Sequence, residues 1–246
     1  DPAKHDTFKD LQAKVRGTKA DCGIAFDGDG DRFGLTDETG QIRSADEILL
    51  LLAKDHLTRH PGAPVVFTVS NSSVLQTEIK RFGGVPVMCK VGHAFVEHEM
   101  ERTGALLGGE QSGHFFCFED AFHYDDALVA ALRTLAMLRR AGRLASTVFA
   151  EFPKVYQAPE YRPHCPDDRK GLVVQRIIAH FSAQYPVNTL DGARVDFGDG
   201  AWAGIRQSNT SPCLSVCIEA QSPEKLRAVE EVVLKHLQTD PEVDLS

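Results

Sequence analysis

Three aspartates alternate with glycines in Asp27-Gly28-Asp29-Gly30-Asp31, and Arg32 closes the run. Carboxylates this close disfavour one another's ionised form, and a hard divalent cation relieves the repulsion through oxygen ligands. The glycines permit a tight turn that aims alternate side chains at one centre. A solvated acidic turn is the plainer alternative. An EF-hand is a third: Asp27, Asp29, Asp31 and Glu38 fit its positions 1, 3, 5 and 12. Arg32, however, occupies the place of its obligatory glycine, and Cys22–Phe26 before the run is strand-like rather than the end of a helix. An arginine beside three carboxylates points to a second anion, such as phosphate, next to a metal.

Three more polar loops carry usable chemistry. Lys90-Val91-Gly92-His93 follows an apolar run; it offers a cation and an imidazole, or simply a solvated lysine and a histidine starting a helix. In Gly108-Gly109-Glu110-Gln111-Ser112-Gly113-His114, the residues Glu110, Ser112 and His114 alternate. In an extended loop they would face one side, and a carboxylate, a hydroxyl and an imidazole together suit a polyhydroxylated ligand. An ordinary hairpin turn is the alternative. Arg206-Gln207-Ser208-Asn209-Thr210-Ser211-Pro212 combines a guanidinium, hydroxyls, an amide and turn N–H groups, the makings of an anion nest, or of a turn that starts a strand.

The elements that must hold these loops alternate in type. Helical spacing predicts helices over 6–19, 45–60, 74–82, 94–103 and 127–141, with Ser72 and Asp125 as caps. Apolar runs predict strands over 22–26, 33–36, 65–69, 85–89 and 105–108. This alternation indicates a mostly parallel sheet with helices on both faces, and each loop falls at a strand end, where ligands bind in open α/β sheets. After Phe152-Pro153 the pattern changes. Strands over 155–161, 193–197, 201–207 and 213–220, with helices over 169–185 and 223–238, read as a separate α+β unit beginning near 151–154.

Composition bounds the possibilities. The 246 residues are 42% hydrophobic and 25% charged, as in an ordinary globular protein. A net charge of −8 disfavours nucleic acid or an anionic membrane as partner, so any phosphate site must be a local cluster of cations. No apolar run approaches the length of a membrane span, and no secretory signal is visible. Six scattered cysteines without a Cys-x-x-Cys pair point to the reducing cytoplasm.

The loops, in this order, resemble the α-D-phosphohexomutase superfamily, most closely its bacterial phosphomannomutase/phosphoglucomutase group. Asp27-Gly28-Asp29-Gly30-Asp31-Arg32 is similar to its metal loop, Glu110-Gln111-Ser112-Gly113-His114 to its sugar loop, and Arg206 to Pro212 to its phosphate loop. The resemblance implies a mixed-sheet α/β/α domain followed by a smaller α+β C-terminal domain. Residues 1–43 would be the remainder of the family's second domain, 44–150 its third and 151–246 its fourth. It implies an isomerase of carbohydrate metabolism that moves a phosphoryl group between O1 and O6 of a hexose through a phosphoserine and Mg²⁺. The expected ligands are glucose or mannose 1- and 6-phosphates. Asp27, Asp29 and Asp31 would hold the metal, and Arg32 would steady the phosphoserine or the transferring phosphoryl. Glu110 and Ser112 would bind sugar hydroxyls, with Lys90 a further substrate contact. His93 and His114 would contact hydroxyls and move protons, while Arg206, Ser208, Asn209 and Thr210 would grip a phosphate.

Two departures stand out. No stretch here matches the family's nucleophilic serine loop, so the chain, which opens on Asp1, is expected to be a fragment of a longer phosphoprotein, inactive alone. Its strand at 22–26 would then be partly unpaired and 1–43 its least stable part. Ser70 stands where many relatives carry lysine. Phosphoglucosamine mutase is a rival, although its phosphate loop typically reads Ser-Gly-Thr-Glu-Pro. A non-catalytic hexose-phosphate-binding module is the rival outside the enzymes.

Overall fold

The computed structural model describes residues 1–2, 4–120 and 123–245. Contacts divide it into two compact units, Asp1–Pro153 and Lys154–Ser246. Among the described residues no helix is long and apolar enough to cross a membrane.

In the first unit, a 3-10 turn (His5–Phe8) leads into α1 (Lys9–Thr18), followed by β1 (Cys22–Phe26), β2 (Phe33–Asp37) and β3 (Ile42–Arg43). These strands form an antiparallel sheet in the order β1-β2-β3. β1 pairs with β2 along its whole length, from Cys22 opposite Asp37 to Phe26 opposite Phe33. The expectation of an unpaired strand therefore holds only for its outer edge. The close approach of α1 dictates Gly23, where a Cβ would lie 2.6 Å from Val15 and 2.8 Å from Leu11.

The unit continues with α2 (Ala45–Arg59), β4 (Pro64–Thr68), α3 (Ser73–Arg81), β5 (Val85–Cys89), α4 (His93–Thr103), β6 (Leu107–Gly109), β7 (Phe115–Cys117), α5 (Ala127–Ala141) and α6 (Ala145–Phe149). Its second sheet runs β5-β4-β6-β7, with β4 parallel to β5 and β6 but β7 antiparallel to β6. The sheet is mixed, as the resemblance implied; the mostly parallel sheet expected from strand–helix alternation fails at β1-β2-β3, three successive strands joined antiparallel by short loops, and at β7, a three-residue strand formed as the chain folds straight back. Successive residues of β6 show that both faces are covered. A Cβ on Gly108 would strike Met100 and Val96 of α4, and one on Gly109 would meet Leu49 of α2. Ser44 and Glu47 cap α2 reciprocally, and Ser72 caps α3 as its spacing predicts.

The cap assignment at α5 needs correction. Asp126, not Asp125, accepts from Val129 N–H at 2.9 Å. Asp125 faces elsewhere. Glu38, just past β2, accepts from Ser146 N–H at 3.1 Å and from its hydroxyl, tying the first sheet to α6.

The second unit contains β8 (Tyr156–Gln157), α7 (Lys170–Ser182), β9 (Val187–Asn188), β10 (Ala193–Asp196), β11 (Trp202–Gln207), β12 (Leu214–Ala220) and α8 (Pro223–Gln238). Its antiparallel sheet has the order β8-β12-β11-β10-β9, and α7 and α8 bury Val173, Ile177, Phe181, Val229 and Val233 in its core. The strand expected over 155–161 shrinks to two residues plus an isolated bridge at Tyr161, because Pro159 has no N–H to donate to a ladder. All six cysteines are free thiols, five of them buried.

Candidate functional site

β1 and β2 hold the acidic loop as a hairpin connection. Asp27 Oδ1 accepts from the N–H groups of Gly30 at 3.2 Å and Arg32 at 3.1 Å, which closes the turn on itself, with Gly30 at φ +81°. Arg32 Nε donates to Asp27 Oδ2 at 2.6 Å, and its Nη1 to Asp1 at 2.9 Å. Burial pushes the Asp27 carboxyl up, but the Arg32 hydrogen bonds and charge outweigh it and hold the group at about 2. Asp31 goes the other way: burial and the neighbouring Asp27 and Asp29 charges raise it, with His114 opposing. One buried oxygen of Asp31, Oδ1, has no hydrogen-bond partner.

The Glu110–His114 loop is a tight turn, not an extended segment. Gly113 N–H donates to Glu110 O at 3.1 Å, Glu110 N–H donates to His114 O at 2.9 Å, and Gly113 sits at φ +101°. The hairpin alternative is therefore correct as local structure, and alternation does not by itself put the three side chains on one face. Glu110 is buried, and its Oε2 accepts from Gly92 N–H at 2.9 Å, so the Lys90–His93 loop is anchored on the Glu110 carboxylate. Ser112 is half-buried; Lys90 is exposed, its Nζ 5.8 Å from the Phe95 ring centre.

These loops meet through the backbone. Phe33 N–H donates to Gly113 O at 3.1 Å, and Arg32 bridges His114. The His114 ring comes to 3.9 Å from Asp31 Oδ2, with the exposed His93 ring 6.4 Å away between centroids. His114 Nδ1 pairs with Asp125 Oδ2 at 2.6 Å. Burial lowers the His114 pKa, yet the Asp125 hydrogen bond and the Glu110, Asp125 and Asp31 charges leave it raised. Asp125 is thus a member of the site that sequence reasoning missed. Its adjacent twin, Asp126, fits the cap equally well by spacing, so only geometry separates the two.

Among the described residues, three groups bring ligand atoms within 4.8 Å of one another. Asp27, Asp29 and Asp31 give an all-oxygen set, which suits Mg²⁺. Asp31 Oδ1, which accepts no hydrogen bond and lies 3.9 Å from Arg32 Nε, leaves a lone pair that fits a cation in the same place. Asp31, His114 and Asp125 form a mixed set whose imidazole nitrogen is already engaged by Asp125. His56, His60 and Glu119 are flanked by Arg59 and Arg133, 2.6 and 3.2 Å from Glu119, which oppose a metal there.

In the second unit the Arg206–Pro212 loop joins β11 to β12. Ser208 N–H donates to Cys213 O at 3.0 Å, and Cys213 N–H to Ser211 O at 2.8 Å. Asn209 and Thr210 are exposed, and Ser208 is buried. Arg206 Nη1 donates to Gln207 O at 3.1 Å, while its buried Nε has no partner. Lys170, at the start of α7, was not anticipated: its buried ammonium donates to Ser208 O at 2.7 Å and Ser211 O at 3.0 Å, and pairs with Asp167 at 2.7 Å.

Residues 1–40 match the family description "Phosphoglucomutase/phosphomannomutase, alpha/beta/alpha domain II", residues 44–156 "alpha/beta/alpha domain III", and residues 145–236 "C-terminal domain". The chain is 41% identical over 240 residues to a phosphomannomutase/phosphoglucomutase of Pseudomonas aeruginosa, covering 96% of this chain and 51% of that protein. It is 36% identical over 244 residues to a phosphoglucomutase of Neisseria gonorrhoeae, covering 98% and 53%. A crystal structure of a phosphoglucomutase/phosphomannomutase family protein from Burkholderia thailandensis superposes with a TM-score of 0.89 at 34% identity, covering 100% of this chain and 52% of that one. The chain spans about half the length of the curated relatives it matches.

Proposed function

The chain belongs to the phosphoglucomutase/phosphomannomutase family, and from that premise we propose that it supplies the metal, sugar and phosphate loops of a Mg²⁺-dependent phosphohexomutase acting between O1 and O6 of glucose or mannose phosphate. The observation that carries this reading is the junction of acidic loop and sugar loop: Arg32 bridges His114, whose ring lies 3.9 Å from Asp31. A metal loop without a hydroxyl-binding partner would fit many reactions; this junction puts proton-transfer and carboxylate groups together.

Asp27, Asp29 and Asp31 would hold Mg²⁺, which supplies charge neutralisation at a transferring phosphoryl group. Arg32 adds a guanidinium beside that charge. His114, oriented by Asp125, is suited to take a proton from a sugar hydroxyl or return one, with His93 as a second imidazole nearby. Glu110 and Ser112 would accept from and donate to sugar hydroxyls, with Lys90 at the rim. Arg206, Ser208, Asn209 and Thr210 would hold a phosphate. Within these roles we assign residues 1–43, 44–150 and 151–246 to the family's second, third and fourth domains. The free thiols support a reducing, cytoplasmic setting. No stretch of the 246 residues matches the family's serine loop, so we infer ligand binding without turnover by this chain alone.

Calorimetric titration with Mg²⁺ tests the metal assignment. Weak binding is expected in the wild type and none in Asp29→Asn; equal affinity in the two would refute it. A coupled assay for glucose 6-phosphate from glucose 1-phosphate, primed with glucose 1,6-bisphosphate, should stay at background for the purified chain.

A further inference from the structure

Beside the phosphate loop, the residues after β8 run along β12. Tyr161 and Val216 exchange backbone hydrogen bonds at 3.0 and 2.9 Å, and Leu214 N–H donates to Pro163 O at 3.0 Å. This short ladder carries Arg162 to Ser208. Arg162 Nη2 donates to Ser208 Oγ at 3.2 Å. Its Nη1 lies 3.3 Å from Glu160, whose same oxygen accepts from Ser215 Oγ at 2.6 Å. Ser208 Oγ accepts a second, longer bond of 3.4 Å from Thr210 N–H.

A hydroxyl has two acceptor positions and one hydrogen. With Arg162 and Thr210 on the acceptor positions, the Ser208 hydrogen remains to donate, and the strongest acceptor for it is an anionic oxygen. The Arg162 side chain is 44% exposed, so the guanidinium keeps its charge available to a ligand. Glu160 offsets part of that charge.

We propose that Arg162 is a second guanidinium of this anion site: it fixes the Ser208 hydroxyl as a donor and adds positive charge to the loop that carries Arg206. The proposal rests on reading residues 206–212 as a phosphate loop. Arg162 is a positioning residue towards Ser208 and an electrostatic one towards the phosphate.

The test is calorimetric titration of the whole 246-residue chain with inorganic phosphate, at low and moderate salt. Arg162→Ala should weaken binding about three- to tenfold, the effect of one charge-assisted hydrogen bond discounted for exposure, and should flatten the salt dependence. Glu160→Gln should tighten binding, because it leaves Arg162 without its competing carboxylate; mere damage to the loop would not produce a gain. Arg162→Lys keeps the charge without the planar fork and should fall between, which also serves if the alanine variant does not fold. Unchanged affinity in Arg162→Ala or Arg162→Lys, beside a loss in Arg206→Ala, overturns the role of Arg162 alone. No loss in Arg206→Ala overturns the phosphate-loop reading, and this proposal with it.

Discussion

Replacing Lys170 with methionine should loosen the Arg206–Pro212 loop from behind. Methionine keeps most of the apolar stem and deletes the ammonium, which donates to Ser208 O and Ser211 O from a position only 7% exposed. Hydrogen bonds to a charged group contribute about 1.5–3 kcal/mol each. Two corrections reduce the sum. Exposed Asn209 and Thr210 let water reach the vacated carbonyls, and removing a buried charge recovers part of its desolvation cost. The pair with Asp167, whose side chain is 73% exposed, adds under about 1 kcal/mol. The net loss should be about 1–3 kcal/mol. Trp202, the single tryptophan, is buried in β11 of the same unit, so its fluorescence reports unfolding of this unit. With a urea slope of about 1–1.5 kcal/mol/M for a domain this small, the midpoint should fall by about 0.7–3 M. Amide exchange at Ser208 and Cys213 should accelerate, and inorganic phosphate should bind more weakly. A loss under about 0.5 kcal/mol with unchanged exchange would show that the ammonium does not hold the loop.

Two further outcomes concern titration in the first unit. In Asp125→Asn the His114 pKa should fall, because the variant removes the hydrogen bond and charge that hold the imidazolium; a histidine titration by NMR reads this directly, and an unmoved His114 would refute the pairing. The sign for stability follows. A raised histidine pKa stabilises the fold below the ordinary histidine range and loses that contribution as pH rises through the raised value, so the wild type's advantage over the variant should shrink at alkaline pH. Glu119 behaves oppositely: burial raises it, but hydrogen bonds from Arg59 and His56 outweigh this and hold it at about 2. Its contribution is present above the ordinary carboxylate range near 4 and is lost as pH falls towards 2. Glu119→Gln should therefore melt lower at neutral pH and show a shallower decline between those values; parallel curves for the two proteins would count against the cluster.

Elements defined by their own residues were legible in the sequence. Cys22–Phe26, Val85–Cys89 and Pro223–Gln238 have the bounds that their apolar runs, glycines and caps predict. Elements defined by a distant partner were not. β3 and β9 have two residues each and β7 has three, so pairing rather than propensity creates them. The same divide runs through the site. The loops at 27–32, 108–114 and 206–212 announce themselves through glycine spacing and residue type. Asp125, Arg162 and Lys170 do not, because each acts across a fold contact on a loop elsewhere in the chain. By spacing Asp125 fits the cap as well as Asp126, since two adjacent aspartates precede α5 and the sequence does not say which one turns towards Val129.

The junction of the acidic loop with the Glu110–His114 loop rests on backbone more than on side chains, and this bears on which changes the site tolerates. Phe33 N–H to Gly113 O and the Arg32–His114 bridge do not involve the Asp29 side chain, so Asp29→Asn should remove a carboxylate charge without moving the loop. Gly113 is different. It holds φ +101°, and a Cβ there would lie 3.0 Å from Phe33 O, the residue whose N–H makes the joining bond. Beneath it, the Phe33 and Phe115 rings sit 5.4 Å apart and neither is exposed, so the hairpins cannot slide to make room. Glycine at 113 therefore favours the backbone geometry that sets His114 beside Asp31, and Asp27 shares that task, because its carboxylate closes the acidic turn on Gly30 and Arg32.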